Sequence, residues 1–203
     1  LGARSRLLVR DRRGLEEARN LDTVVFDKTG TLTLGAHRVV DLAVAHGIAE
    51  EEALRIAASV EAEAEHPIAR GIVQSAQERR IKVPPAESFR ALPGRGVAAT
   101  VEGTVYQVGG PVLLRAGGAH VPDVLRNKAE EAASRGQAAI YLVRDGEVLA
   151  VFAVADAVRP ESREAVNALQ ARGIEVAILT GDAQAVANTV AQELGIHTVF
   201  AEV

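Results

Sequence analysis

The tightest constraint on the fold lies in residues 23–33. Thr23-Val24-Val25-Phe26 is a short β-branched and aromatic run that passes directly into Asp27-Lys28-Thr29-Gly30-Thr31-Leu32-Thr33. A run of that composition, closed by a polar turn containing glycine, predicts a core strand of a parallel sheet. Such sheets hold ligands at the carboxyl ends of their strands, which is where Asp27 falls. Gly30 permits a sharp turn, and the backbone and hydroxyls of Thr29 to Thr31 can aim donors at an anion. An aspartate beside Lys28 and fixed donors can attack phosphorus as a nucleophile, with the donors and a bound Mg2+ offsetting the charge on the transferred group. Asp-Lys-Thr-Gly alone is also a common way for a strand to end in a turn. The seven residues taken together favour phosphoryl transfer.

Composition narrows the rest. At 203 residues, 48% hydrophobic and 25% charged, the chain can bury a proper core in one or two domains. A net charge of -4 with mixed signs gives no basic stripe, which argues against nucleic acid as a partner. Arg4 to Arg13 is a local basic cluster, read either as a solvated surface or as a segment that approaches lipid headgroups. The longest apolar run, Val148 to Ala155, is far shorter than the roughly 20 residues of a spanning helix. The chain starts at Leu1 with no signal peptide, and is expected to be a piece of a longer polypeptide whose parent can still be a membrane protein. With no cysteine, no methionine and five histidines without close spacing, a soft metal has no ligand set here.

Periodicity predicts helices over Glu50 to Ser59 and Pro67 to Arg80, the second opening on a proline suited to a first turn. Val97 to Val101 and Thr104 to Val108 flank Glu102-Gly103 as a hairpin, and Ala139 to Val143 and Val148 to Val154 flank Asp145-Gly146 likewise. Between them Asp123 is expected to cap a helix running to about Arg135, with Gly136 past its end. From Arg159 the pattern is α/β: helix Pro160 to Arg172, strand Glu175 to Leu179, helix Gln184 to Leu194, and a strand from Thr198. The expected architecture is an α/β domain with a parallel sheet, residues 1–34 and 156–203, interrupted by an α+β domain with an antiparallel sheet, residues 35–155.

Residues 27–33 match without a change the phosphorylation signature of the P-type ATPases, cation pumps that pass through an aspartyl-phosphate, and the chain resembles that family over essentially its whole length. The resemblance implies a haloacid dehalogenase-like phosphorylation domain, its Rossmann-type sheet incomplete here, with a nucleotide-binding domain as the insertion. Related phosphatases carry an acid two residues after the nucleophile. Thr29 stands there instead and cannot act as a general base at neutral pH, so the phosphoenzyme should persist.

Thr180-Gly181-Asp182 follows the Glu175 to Leu179 strand, so Thr180 also falls at a strand's carboxyl end, able to bind a phosphoryl oxygen, with Asp182 in support. A turn in which Asp182 caps the next helix is the plainer reading. The family carries this triplet, normally followed by asparagine where Ala183 stands.

Ser59 to Pro67 reads Ser-Val-Glu-Ala-Glu-Ala-Glu-His-Pro and resembles the Ser-Glu-His-Pro element of the heavy-metal-transporting subfamily, with Ala64 in place of the usual serine. By that resemblance Glu61 accepts from the adenine amine and His66 orients or stacks on the ring. Gly94 and Gly96 map onto a glycine pair that lets the nucleotide approach the backbone. Gly109-Gly110 stands where many relatives have Gly-Asn. Asp156, in Asp156-Ala157-Val158-Arg159-Pro160, maps onto a hinge aspartate that can touch ribose or phosphate, or can simply brace a rigid crossing.

The resemblance implies ATP or ADP as ligand and Mg2+ held by the Asp27 carboxylate and the Thr29 carbonyl. It also implies actuator and transmembrane domains as partners, a place on the cytoplasmic face of a membrane, and a heavy-metal ion bound elsewhere, copper or silver ahead of zinc. The chain ends at Val203, before the lysine and the Gly-Asp-Gly-x-Asn-Asp segment of relatives, so nucleotide binding with little or no turnover is expected. A capped phosphatase or phosphotransferase of the dehalogenase superfamily and a non-catalytic nucleotide-binding module are the alternatives.

Overall fold

A computed structural model describes residues 20–203, so the Arg4 to Arg13 cluster lies outside the described residues. In chain order the elements are β1 (Thr23–Asp27), β2 (Thr33–Val44), α1 (Glu50–Glu61), α2 (Pro67–Glu78), β3 (Glu87–Leu92), β4 (Gly96–Val101), β5 (Thr104–Gly109), α3 (Pro111–Gly117), α4 (Asp123–Ser134), β6 (Ala138–Arg144), β7 (Glu147–Val158), α5 (Pro160–Gln170), β8 (Glu175–Leu179), α6 (Gln184–Leu194) and β9 (Thr198–Phe200).

The strands form two sheets. The smaller is parallel, in the order β1-β8-β9, and its register pairs Phe26 with Ile178 and Asp27 with Leu179. Val24 and Phe26 alternate with exposed Thr23, Val25 and Asp27, so one face of the strand joins a core built from Leu32, Val166, Ile178, Val190 and Leu194. Fully burying side chains of this size contributes about 1.5–3 kcal/mol each, which fixes which face of β1 points inward and therefore that Asp27 points out.

The larger sheet is antiparallel, in the order β2-β7-β6-β5-β4-β3. Leu54, Val60 and Ile72 of α1 and α2 pack with Phe152, Leu142 and Val108, while Leu113 of α3 and Leu125 of α4 pack with Tyr141, Val143 and Val151. Because strand side chains alternate, Leu142 and Phe152 fall in the first of these cores while Tyr141, Val143 and Val151 fall in the second. Both expected hairpins are present, and Glu102-Gly103 and Asp145-Gly146 take positive φ at both turn residues, the requirement of a tight two-residue turn.

Several details depart from expectation. Pro122, not Asp123, is the N-cap of α4. Its extended backbone starts the helix, and the Asp123 carboxylate instead pairs with Arg126 at 3.0 Å. The N-cap of α6 is Ala183, so Asp182 caps nothing. The helices expected to reach Arg80 and Arg172 stop at Glu78 and Gln170, and that expected to end at Ser59 continues to Glu61. β2 and β7 run through the expected crossings near Leu34-Gly35 and Ala155 to Pro160, pairing as far as Thr33 with Val158.

Candidate functional site

Lys28 to Leu32 forms a wide turn, closed by the Thr33 N–H donating to the Lys28 carbonyl and made possible by Gly30 at φ +78°. Asp27, Thr29, Gly30 and Thr31 are exposed along it, while Lys28, Leu32 and Thr33 are buried. Its carbonyls are held from the other crossing. The Arg159 guanidinium donates to the carbonyls of Thr33 (2.9 Å) and Gly30 (3.2 Å), and the Arg159 N–H and Ser162 hydroxyl both donate to Leu32 O at 2.9 Å. Arg159 and Ser162 were missed as supports of the turn that follows Asp27. Arg159-Pro160 at a helix start was the only signal for them.

Asp27 and Leu179 are register partners, so Asp27 and Thr180 end neighbouring strands. Thr180 is 6% exposed. Its hydroxyl lies 3.1 Å from the Asp182 carboxylate and accepts from the Asp182 N–H at 3.2 Å, while Gly181 is exposed between them. The triplet therefore stands beside Asp27.

Lys28 does not extend toward the exposed side of the turn. It is 3% exposed, with its ammonium 2.7 Å from Asp182 and 3.6 Å from Asp156, and the ion pair holds the Asp182 carboxyl below the usual range. The apolar stem is buried and the charge is neutralised by two carboxylates from separate strand ends. Asp156 accepts from the Thr33 hydroxyl at 2.5 Å and from the Ala36 N–H at 3.1 Å, which makes it a brace at the crossing.

A second site lies in the larger sheet. Glu61, His66, Gly94, Gly96, Gly109 and Gly110, from three separate stretches of chain, all line one cleft of about 490 Å³, whose apolar walls include Ile68, Leu92 and Ile140. Asp156 is not among its walls. Gly96 and Gly109 are register partners, and a Cβ on either would stand 2.1 Å from a backbone oxygen, of Val108 and Arg95 respectively. Only glycine allows this approach. His66 is the N-cap of α2, its Nδ1 accepting from the Ile68 N–H at 3.2 Å, so the neutral ring carries its proton on Nε2. Glu61 ends α1, is 7% exposed, and its carboxyl is pushed up to about 7 by burial.

Among the described residues no three His, Asp or Glu side chains gather to hold a metal ion. The Asp27 carboxylate and Thr29 carbonyl would supply two of the six oxygens Mg2+ takes, leaving the rest to phosphate and water. These residues alone do not make a Mg2+ site.

The family model for haloacid dehalogenase-like hydrolases matches residues 21–203. The chain is 45% identical, over its full length, to the copper-exporting P-type ATPase B of Archaeoglobus fulgidus, and spans 29% of that protein. A crystal structure of a zinc-transporting PIB-type ATPase in its E2.Pi state superposes on 90% of this chain and 29% of its own, with TM-score 0.77 and 39% identity. The catalytic domain of the CPx-ATPase CopB-B, described as changing conformation upon nucleotide binding, matches 97% of this chain and 67% of its own, at TM-score 0.55 and 26% identity. The chain belongs to the haloacid dehalogenase-like hydrolases, and within them to the branch of the heavy-metal P-type ATPases.

Proposed function

We propose that this chain binds ATP in the glycine-lined cleft and that, within a longer protein, Asp27 receives its γ-phosphoryl group, as the catalytic region of a heavy-metal exporter working at the cytoplasmic face of a membrane. The carrying observation is that six residues scattered over the sequence converge on one cleft able to admit a flat, partly apolar ligand. The apolar walls take the purine, the Gly96 and Gly109 backbones let it approach, and the exposed Nε2–H of His66 donates to it.

In the transfer step an Asp27 carboxylate oxygen forms a bond to the γ-phosphorus while the bond from that phosphorus to the β,γ-bridging oxygen breaks, and ADP leaves with the electron pair. Thr31, exposed beside Asp27, offers a backbone donor, the Gly30 N–H being held by the Thr33 hydroxyl at 3.4 Å, and Thr180 stands at the next strand end. Among the described residues the Asp27 carboxylate and Thr29 carbonyl would be the only ligands to a Mg2+ ion brought in with the nucleotide, which would lower the charge on its phosphates. The membrane and actuator domains, and the transported ion, are partners outside this chain. Copper or silver is ranked ahead of zinc, following the copper-exporting relative.

Calorimetric titration with ATP, ADP and GTP, run beside His66→Ala, tests the cleft. Adenine-selective binding weakened by about 1 kcal/mol or more, the scale of a lost hydrogen bond, is the expected result. Binding indifferent to His66 would move the nucleotide elsewhere.

A further inference from the structure

Glu61 is a buried acid without a partner among the described residues. Among the described residues no hydrogen bond or ion pair engages its carboxyl, although 93% of the residue's surface is removed from water. It is the last residue of α1, where the helix dipole presents its negative end and disfavours a second negative charge. The cleft walls hold two other titratable groups, His66 and Arg95. Neither lies within ion-pairing distance of Glu61, and His66 spends its Nδ1 lone pair on the Ile68 N–H as it caps α2. Around the cleft Glu63, Glu65 and Arg70 are exposed to solvent.

The form in which this carboxyl meets a purine matters chemically. The adenine edge offers the N6 amine as donor and N1 as acceptor. A carboxylic acid answers both, its carbonyl accepting from N6 and its O–H donating to N1, whereas a carboxylate answers only the amine and faces the N1 lone pair with a charge. Guanine offers N1–H and the N2 amine, two donors that suit a carboxylate.

We infer that Glu61 reads the base as a neutral carboxylic acid, so that adenine binding holds a proton on the protein and ionisation of this one group erodes adenine selectivity. The inference rests on the cleft being the nucleotide site. The raised ionisation of the buried carboxyl, about 7, puts the change in the physiological range.

ATP and GTP affinities of the protein and of Glu61→Gln, measured by calorimetry between pH 6 and pH 8, decide it. Glutamine presents the same acceptor and donor and cannot ionise. The wild-type protein should lose about tenfold in ATP affinity across that range, as the binding-competent fraction falls, and its preference over GTP should shrink with it. Glu61→Gln, whatever its affinity at pH 6, should lack this loss between pH 6 and pH 8. Both proteins share every other residue and the same nucleotide, so the difference isolates Glu61. Independently of any variant, binding at pH 8 measured in two buffers of different ionisation enthalpy should show net proton uptake. Parallel pH profiles, or no proton uptake, would overturn the inference while leaving the nucleotide site intact. Failure of the wild type to bind ATP at any pH would overturn both.

Discussion

Replacing Lys28 by methionine keeps the buried stem and deletes the charge. The ammonium it removes is 2.7 Å from Asp182 and 3.6 Å from Asp156, and its own side chain is 4% exposed. Breaking a fully buried ion pair by removing one partner costs about 3–5 kcal/mol. Asp182 keeps 38% of its side-chain exposure and can be rehydrated, whereas Asp156, at 15%, is left facing the gap with two neutral donors. A loss of about 2–3 kcal/mol is therefore expected, with about 1 kcal/mol of coupling in a double-mutant cycle with Asp182→Asn. Urea unfolding followed by circular dichroism measures it, and amide exchange in β1 and β8 localises it. The acid limb supplies a second readout. Asp182 has a depressed folded-state ionisation, so its contribution is present above the unfolded value of 3.8 and is lost as pH falls through the depressed one. Lys28→Met should flatten that loss. Nucleotide affinity should change less than twofold, because Lys28 is not in the cleft wall. A stability change under about 0.5 kcal/mol with unaltered acid sensitivity would refute the bracing role, and a large loss of affinity would return Lys28 to the ligand.

Gly96→Ala puts a Cβ 2.1 Å from the Val108 carbonyl oxygen, so the β4–β5 ladder must part at its cleft end; a loss of about 2–3 kcal/mol and of nucleotide binding is expected, read by thermal melting and titration. Glu61 binds more protons folded than unfolded between its unfolded value of 4.5 and about 7, so its contribution is full below pH 4.5 and is lost as pH rises through 7. That amounts to about 3 kcal/mol, and Glu61→Gln should remove this slope from a pH series of urea melts. Arg159→Gln withdraws the guanidinium from the Gly30 and Thr33 carbonyls and should cost about 1–2 kcal/mol; amides of Gly30 and Thr31 should then exchange faster while those of α1 do not, and equal protection would count against the brace.

Where local chemistry dictated the outcome, the sequence was readable. Thr23 to Phe26, a β-branched and aromatic run closed by a glycine turn, placed Asp27 at a strand's carboxyl end, though its alternating burial was not legible in it, and Glu102-Gly103 and Asp145-Gly146 demanded the positive φ values they have. β2 was missed because its register with β7 shifts between Thr33 and His37 and again between Val39 and Asp41, which breaks the period-two signal. β3 was missed because, as an edge strand reading Glu-Ser-Phe-Arg-Ala-Leu, it is largely exposed. In the site, the glycines and Glu61 were legible through the family word, yet the direction of Lys28 was not. A lysine next to an exposed strand-end aspartate can turn either way, and here two carboxylates from distant segments decide it. The engagement of Asp156 with Thr33 and Ala36 was equally a tertiary outcome.

The pairing of Thr33 with Val158 also bears on the order of folding. Asp27 and Glu175 belong to adjacent strands but are separated by most of the chain, and closing so long a loop between unstructured ends is entropically unfavourable. Once β2 and β7 have zipped, Thr33 and Val158 lie about 5 Å apart, and the effective loop shrinks to the turn after β1, α5 and its flanks. Assembly of the larger sheet should thus precede and accelerate the parallel sheet that presents Asp27.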